Sequence, residues 1–263
     1  MNRLRLTRWA LCAAMLLSLG APAAAQTPDA ATLVASATAR NGFGFDQGSA
    51  RVRLSITGGD QAPKERVLRA RTLRGGAGGP RTVLRFLSPS EVQGAAFLLV
   101  EQPGDAPDDM HLYLPALKRT RRIAGSQKDG SFMGTDFTYA DLEYRDVKTA
   151  AYSPVTEASL DGVPCWRVEA RPTAPAAGVS RVVLHIRRDN GLIQRSELHA
   201  ADDRLLKRYT LRAFAALEGK PTPSEAEMHT VETGRTTRLT IDEVDTRAPL
   251  DPADFTPESL SRG

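Results

Sequence analysis

The chain has almost nothing with which to staple itself. Two cysteines occur in 263 residues, Cys12 and Cys165. Cys12 falls in an N-terminal segment that reads as a removable leader, so a mature protein keeps Cys165 alone and forms no internal disulfide. A chain of this length buries enough apolar surface to fold without one. An apolar run of membrane-spanning length is also missing, since the longest stretch, Trp9–Leu19, is too short. An excess of one charge is missing as well. Without Arg3, Arg5 and Arg8 of the leader the net charge falls from +4 to +1. A near-neutral chain lacks the phosphate-neutralising surplus on which nucleic-acid binding rests.

Catalytic signatures are equally sparse. The sequence holds no G-x-S-x-G elbow, no H-E-x-x-H, no P-loop and no C-x-x-C. His111, His185, His199 and His229 are scattered over separate strand-like runs. Asp109 and His111 share a strand face at i, i+2, yet no third metal ligand stands at a recognisable spacing. Asp108 and Asp109 are adjacent and point to opposite faces, which disfavours joint acid–base work. Cys165 reads as an inert, semi-buried thiol. The expectation is a protein that is not an enzyme and carries no cofactor and no metal.

What is present begins with the ends. Arg3, Arg5 and Arg8 precede the short apolar segment, and Ala23-Ala24-Ala25 offers a small-x-small cleavage site. Residues 1–25 are expected to be a secretory signal peptide and 26–263 a single domain, soluble in the periplasm after cleavage near Ala25. Paired arginines are absent from this leader segment, which favours general export. Cys12 follows Trp9-Ala10-Leu11, not the small residue that lipoprotein processing wants, so a lipid anchor is not expected.

Thr27–Arg40 reads as a helix, with Thr27 as cap, Pro28 in the first turn and Asn41-Gly42 as a left-handed stop. The glycines that follow, Gly42, Gly44 and Gly48, miss a dinucleotide fingerprint in spacing and follow a helix instead of a strand. From Ser49 the period switches to two. Runs at Arg51–Thr57, Arg81–Leu87, Met110–Leu114, Trp166–Ala170, Val182–Ile186 and Arg238–Ile241 alternate polar with apolar residues, as antiparallel strands with one wet face do. Turn signals part them, Asp189-Asn190-Gly191 being the strongest hairpin signal. The pattern predicts about ten strands.

The dry faces carry Leu54, Ile56, Met110, Leu112, Leu114, Trp166, Leu184 and Ile186. They predict a curved sheet with an apolar concave side. The Thr27–Arg40 helix, the Phe132–Leu142 loop and a short turn at Phe255–Leu260 are the segments available to cover it. That cover is thin for such a sheet, so both an incompletely filled interior and a fully packed sandwich stay open. The run Lys118-Arg119-Thr120-Arg121-Arg122 is either a solvated strand or, through Arg119, Arg121 and Arg122, a contact for an anionic headgroup, membrane or partner.

The stretch Phe132-Met133-Gly134-Thr135-Asp136-Phe137-Thr138-Tyr139 is too aromatic to be left in water. It is either a plug of the core or a mobile lid. Gly134 supplies backbone freedom, Met133 adaptable packing, and Asp136 a cap for a short helical turn at Tyr139–Ala140. Phe132, Met133, Phe137 and Tyr139 join the dry-face residues as candidate ligand contacts.

Taken together, Asp109-Met110-His111-Leu112-Tyr113-Leu114-Pro115, the Arg121-Arg122-Ile123 strand and Phe132-Met133-Gly134-Thr135-Asp136-Phe137-Thr138-Tyr139-Ala140-Asp141-Leu142 resemble the signature of the LolA-like outer-membrane lipoprotein-sorting family, in its exporter-associated branch. The resemblance implies a mainly β, half-open antiparallel barrel with an N-terminal helix and lid loop over an apolar concave face. It implies no catalytic centre, acylated lipid or lipoprotein cargo, transient membrane contact, and an inner-membrane RND-type exporter or outer-membrane acceptor as partner. A carrier is one reading; a lipid sensor or exporter adaptor using the same cavity is the other. The family's closed state is implied to rest on a barrel arginine bonded to the lid, and the motif alone does not say which arginine that would be here.

Overall fold

The computed structural model describes residues 27–262 apart from 41–44, 46, 61, 75–78, 103–105, 144–146, 148 and 174–177. The expected signal peptide and the Asn41-Gly42 stop lie outside the described residues. Helix α1 spans Ala30–Arg40. It starts later than the sequence predicts because Asp29, not Thr27, caps it: the Asp29 carboxylate accepts from Thr32 N at 2.9 Å and Thr32 Oγ1 at 2.8 Å.

Among the described residues, fourteen strands form one antiparallel sheet. In chain order they are β1 (Gln47–Gly58), β2 (Lys64–Leu73), β3 (Arg81–Ser88), β4 (Ala96–Val100), β5 (Asp109–Leu114), β6 (Arg119–Ile123), β7 (Ala150–Tyr152), β8 (Thr156–Leu160), β9 (Val163–Pro172), β10 (Arg181–Arg187), β11 (Ile193–His199), β12 (Leu205–Leu217), β13 (Lys220–Thr230) and β14 (Arg235–Asp245). The half-open barrel expected from the resemblance is the observed architecture. The strand count exceeds the expected ten for identifiable reasons. β7 and β8 are too short to alternate visibly, and β13 carries Pro221 and Pro223 at its start.

Hydrogen-bonded neighbours run β6-β5-β4-β3-β2-β1-β14-β13-β12-β11-β10-β9-β7, with β8 also on β9. The first and last strands therefore pair in the middle, Leu54 opposite Leu239 and Val52 opposite Ile241. β6 and β7, consecutive in sequence, lie at opposite ends of the sheet. The chain between them must cross the gap that the sheet leaves open. The described part of that connection, residues 124–143, brings Phe132, Phe137, Ala140 and Leu142 to the interior.

Burial follows the period. On β1, Val52, Leu54 and Ile56 are buried while Arg51, Arg53 and Thr57 face water. β4 breaks the rule, reading Ala-Phe-Leu-Leu-Val with hardly a wet position. It is covered on both sides. Phe97 and Leu99 face the interior cluster with Phe86 and Met110, whereas Ala96 and Leu98 meet Val83, Phe255 and Leu260 on the outer face. The C-terminal segment at Phe255–Leu260 therefore covers the outer side of the sheet and not the concave side, contrary to the sequence expectation. Arg85 fixes it there, donating to the carbonyls of Leu260 at 3.2 Å and Arg262 at 3.0 Å.

Candidate functional site

A cavity of about 980 Å³ opens inside the half-barrel. That is at the upper end of the ~300–1,000 Å³ usual for small-molecule sites. Its walls come from both halves of the sheet: Val52, Leu54, Leu68, Leu84, Phe97 and Leu99 on one side, Val182, Leu184, Ile193, Leu198, Tyr209 and Met228 on the other. α1 closes one flank through Val34 and Thr38. The lid contributes Phe132, Phe137, Ala140 and Leu142. One rim is polar, with Arg74, Glu101, Gln102, Asp108 and Lys220. Close to that rim, the Thr72 and Thr82 Oγ1 atoms share a hydrogen bond at 3.2 Å.

The lid is a folded piece of chain. Thr135 N donates to Phe132 O at 3.0 Å across Met133 and Gly134, both at positive φ (51° and 78°), as a type I′ turn demands. Gly134 is needed there: a Cβ would be strained by the backbone and would sit 3.3 Å from Arg66 Nη2. Phe132 N closes on Phe137 O at 2.7 Å. Next comes α2 (Tyr139–Leu142). Its cap is Thr138, which accepts from Asp141 N at 3.2 Å while Asp141 Oδ2 accepts from Thr138 N at 2.7 Å.

Asp136, expected as that cap, has another task. Its carboxylate is buried and accepts from Thr237 Oγ1 at 2.7 Å and Thr230 Oγ1 at 2.8 Å, tying the lid to β14 and β13. Arg235 Nη2 donates to Gly134 O at 2.7 Å. Lys207 Nζ reaches Asp141 Oδ2 at 2.9 Å from β12. At the base of the crossing Lys128 and Glu143 form a buried ion pair at 2.6 Å, and Lys128 also donates to Asp108 O at 2.9 Å. Burial pushes the Tyr139 phenol pKa up.

The residues expected from the sequence are sorted by this geometry. Leu54, Phe132, Phe137 and Leu184 line the cavity. Met110, Leu112, Leu114, Met133 and Tyr139 pack in the cluster behind that wall. Ile56 is buried opposite Thr237, beside the lid's anchor. Trp166 and Ile186 pack in the second cluster with Val34 and Ala37 of α1, and neither of the two lines the cavity itself. Arg188 lies 4.3 Å over the Trp166 ring. Arg119 and Arg121 are exposed on β6, on the face shared with Leu114 and Leu112, while Arg122 pairs with Asp109 on the opposite face. Cys165 is fully buried, not semi-buried, and burial raises its thiol pKa. Wall residues that the sequence reading missed, such as Leu68, Phe97 and Met228, stand in strands without clean alternation. A paired register would have been needed to find them.

A family model described as "Uncharacterized protein" matches residues 78–262. Among solved structures, a DUF1329 family protein from Desulfovibrio piger is similar with a TM-score of 0.78 at 24% identity, over 88% of this chain and 97% of that one. An outer membrane lipoprotein-sorting protein domain from Vibrio parahaemolyticus gives 0.78 at 25% identity, over 88% and 98%. A LolA superfamily protein from Nitrosomonas europaea gives 0.65 at 16% identity, over 86% and 96%. A search of curated proteins gives no match.

Proposed function

The chain belongs to the DUF1329-like family and has the LolA-like open-barrel fold, and from that footing we propose that it is a periplasmic carrier of acylated cargo. It binds the acyl chains of lipoproteins or lipids in the cavity and delivers them toward the outer membrane. The observation that carries the reading is an apolar cavity of about 980 Å³ whose roof is a separately anchored loop and not a sheet. Each CH₂ removed from water is worth ~0.8 kcal/mol, so a sixteen-carbon chain represents on the order of 12 kcal/mol. Such a chain does not cross water unaided at a useful rate. A dry cavity removes that barrier, and a roof held by a few polar contacts lets cargo leave.

Transient membrane contact fits the β5–β6 hairpin. Leu117 at its tip is 65% exposed and is followed by exposed Lys118, Arg119, Arg121 and Arg122. An apolar tip among cations suits an anionic lipid surface. The donor or acceptor, an RND-type exporter among the candidates, would be met with the cargo held behind the lid. Arg235, bonded to Gly134 O, is the barrel arginine best placed to hold the lid shut.

Native mass spectrometry of the protein released gently from the periplasm tests the proposal. Stoichiometric acylated adducts are expected. A protein that stays empty, and that binds no acyl probe when offered one, is not a carrier.

A further inference from the structure

The inner face of the sheet changes character beneath the lid turn. Arg66 stands opposite Leu54 on β2, on the same face as Leu68 and Ala70. Its Nη2 approaches the Met133–Gly134 turn so closely that a Cβ on Gly134 would lie 3.3 Å away. Its Nε and Nη1 are buried, and neither has a hydrogen-bond partner among the described residues. Arg235, on β14, lies on the other flank of the turn. It is bonded to Gly134 O through Nη2, and its own Nε has no hydrogen-bond partner among the described residues.

Arg235 has an acid beside it: its Nε lies 3.8 Å from Asp136 Oδ1, in a carboxylate that also accepts from Thr237 and Thr230, so the charge left unanswered is that of Arg66. Glu91 acts on Arg66 only through space and is itself solvent-exposed. Burial pulls the Arg66 pKa below the usual arginine value, and Glu91 offsets only part of that. A guanidinium is always charged under ordinary conditions and offers five N–H donors. Withdrawing two of its nitrogens from water without acceptors is unfavourable unless something else supplies them.

We infer that Arg66, flanked by Arg235, is an anion subsite that takes a phosphate-type oxyanion beneath the Met133–Gly134 turn. The inference rests on the carrier reading and refines it: acyl chains occupy the cavity while an anionic headgroup is held at the lid. The same chemistry would accept free phosphate, so the experiment separates the two sources.

The test compares two lipids with one chain and different heads, palmitoyl lysophosphatidate and monopalmitoyl glycerol, on the mature wild-type protein, Arg66→Gln and Arg66→Lys. Wild type should prefer lysophosphatidate by about tenfold or more, the usual effect of a charge-assisted hydrogen bond. Arg66→Gln should bring the ratio near one, and Arg66→Lys should retain part of it. Equal affinities in wild type, or a parallel fall for both lipids in Arg66→Gln, overturn the subsite and leave the carrier reading standing. If neither lipid binds, the carrier reading fails and inorganic phosphate decides. A phosphate-dependent rise in melting temperature that is lost in Arg66→Gln assigns the site to a free oxyanion, and no rise overturns it. The variant's own melting curve guards against misfolding. It should match or exceed wild type, because an uncompensated buried charge has been removed.

Discussion

The Asp136 carboxylate accepts a hydrogen bond from Thr237 Oγ1 at 2.7 Å, and the Asp136 N–H donates to the same hydroxyl at 2.9 Å. One threonine thus holds a lid residue by side chain and backbone together, 101 positions away in sequence. Thr237→Val removes both bonds without a large change of volume, stranding a buried carboxylate oxygen and an N–H. The loss should be about 1–3 kcal/mol. Hydrogen exchange should locate it. Amides of residues 131–142 should exchange faster while the β1–β2 ladder keeps its protection. Unchanged lid protection would show that this contact does not latch the loop.

The sequence left open whether the aromatic loop is plug or lid, and the structure divides the answer by residue. Phe132 is 3% exposed, with ring centroids 5.4 Å from Phe97, 5.6 Å from Tyr139 and 5.8 Å from Phe86. Phe132→Ala should destabilise the fold by about 3–5 kcal/mol. Phe137 is only partly buried and lines the cavity. Phe137→Ala should cost no more than about 1 kcal/mol of stability and weaken binding of an acyl probe. Chemical denaturation and probe titration on both variants check the division, and equal behaviour would remove it.

Lys128 and Glu143 are 6% and 4% exposed and joined at 2.6 Å. Glu143→Gln leaves a buried ammonium without its counter-ion and should cost about 3–5 kcal/mol. The double variant Lys128→Met with Glu143→Leu should recover most of that loss. Denaturation midpoints for the single and double variants measure it.

The C-terminal segment is a structural cover. Phe255 and Leu260 are buried against Val83, Ala96 and Leu98 on the side away from the cavity. Phe255→Ala should lower stability by about 3–5 kcal/mol while acyl-probe affinity, measured well below the melting temperature, stays within about twofold. A large loss of affinity in a folded variant would mean that this face communicates with the cavity.

Burial lowers the pKa of His111 and of His185, whose Nδ1 also has no hydrogen-bond partner among the described residues. Both imidazoles are therefore neutral in the fold more readily than in the unfolded chain. Their contribution to stability is complete above the unfolded value of about 6.5 and falls as pH drops through that value toward the folded ones. Carboxylates act lower. For Glu227, burial works against ionisation, but hydrogen bonds from Arg212 and Arg238 outweigh it and lower its pKa, so its contribution is lost only below about pH 4.5. Melting temperature should already decline between about pH 7 and 5.5, and a double variant, His111→Gln with His185→Gln, should flatten that decline. An unaltered slope would assign it elsewhere.

Period-two alternation was enough to give β1, β3, β5, β9, β10 and β14, and the dry faces of β1, β5, β9 and β10, because side-chain direction in a strand is a local property of the backbone. The hairpin at Asp189-Asn190-Gly191 and the aromatic content of Phe132–Tyr139 were legible for the same reason. β4 was not, since a strand covered on both faces has no alternation to read. The side of the sheet that Phe255 covers, the partners of Asp136 and the unanswered charge of Arg66 were also out of reach. These depend on which strands become neighbours, and contacts between distant residues leave no periodicity in the chain. The sequence by itself determined a one-sided β-sheet and an apolar loop that had to be covered. The tertiary structure decided that the loop would be the cover, because the sheet stays open between β6 and β7 and the chain joining those two edges has to cross the gap.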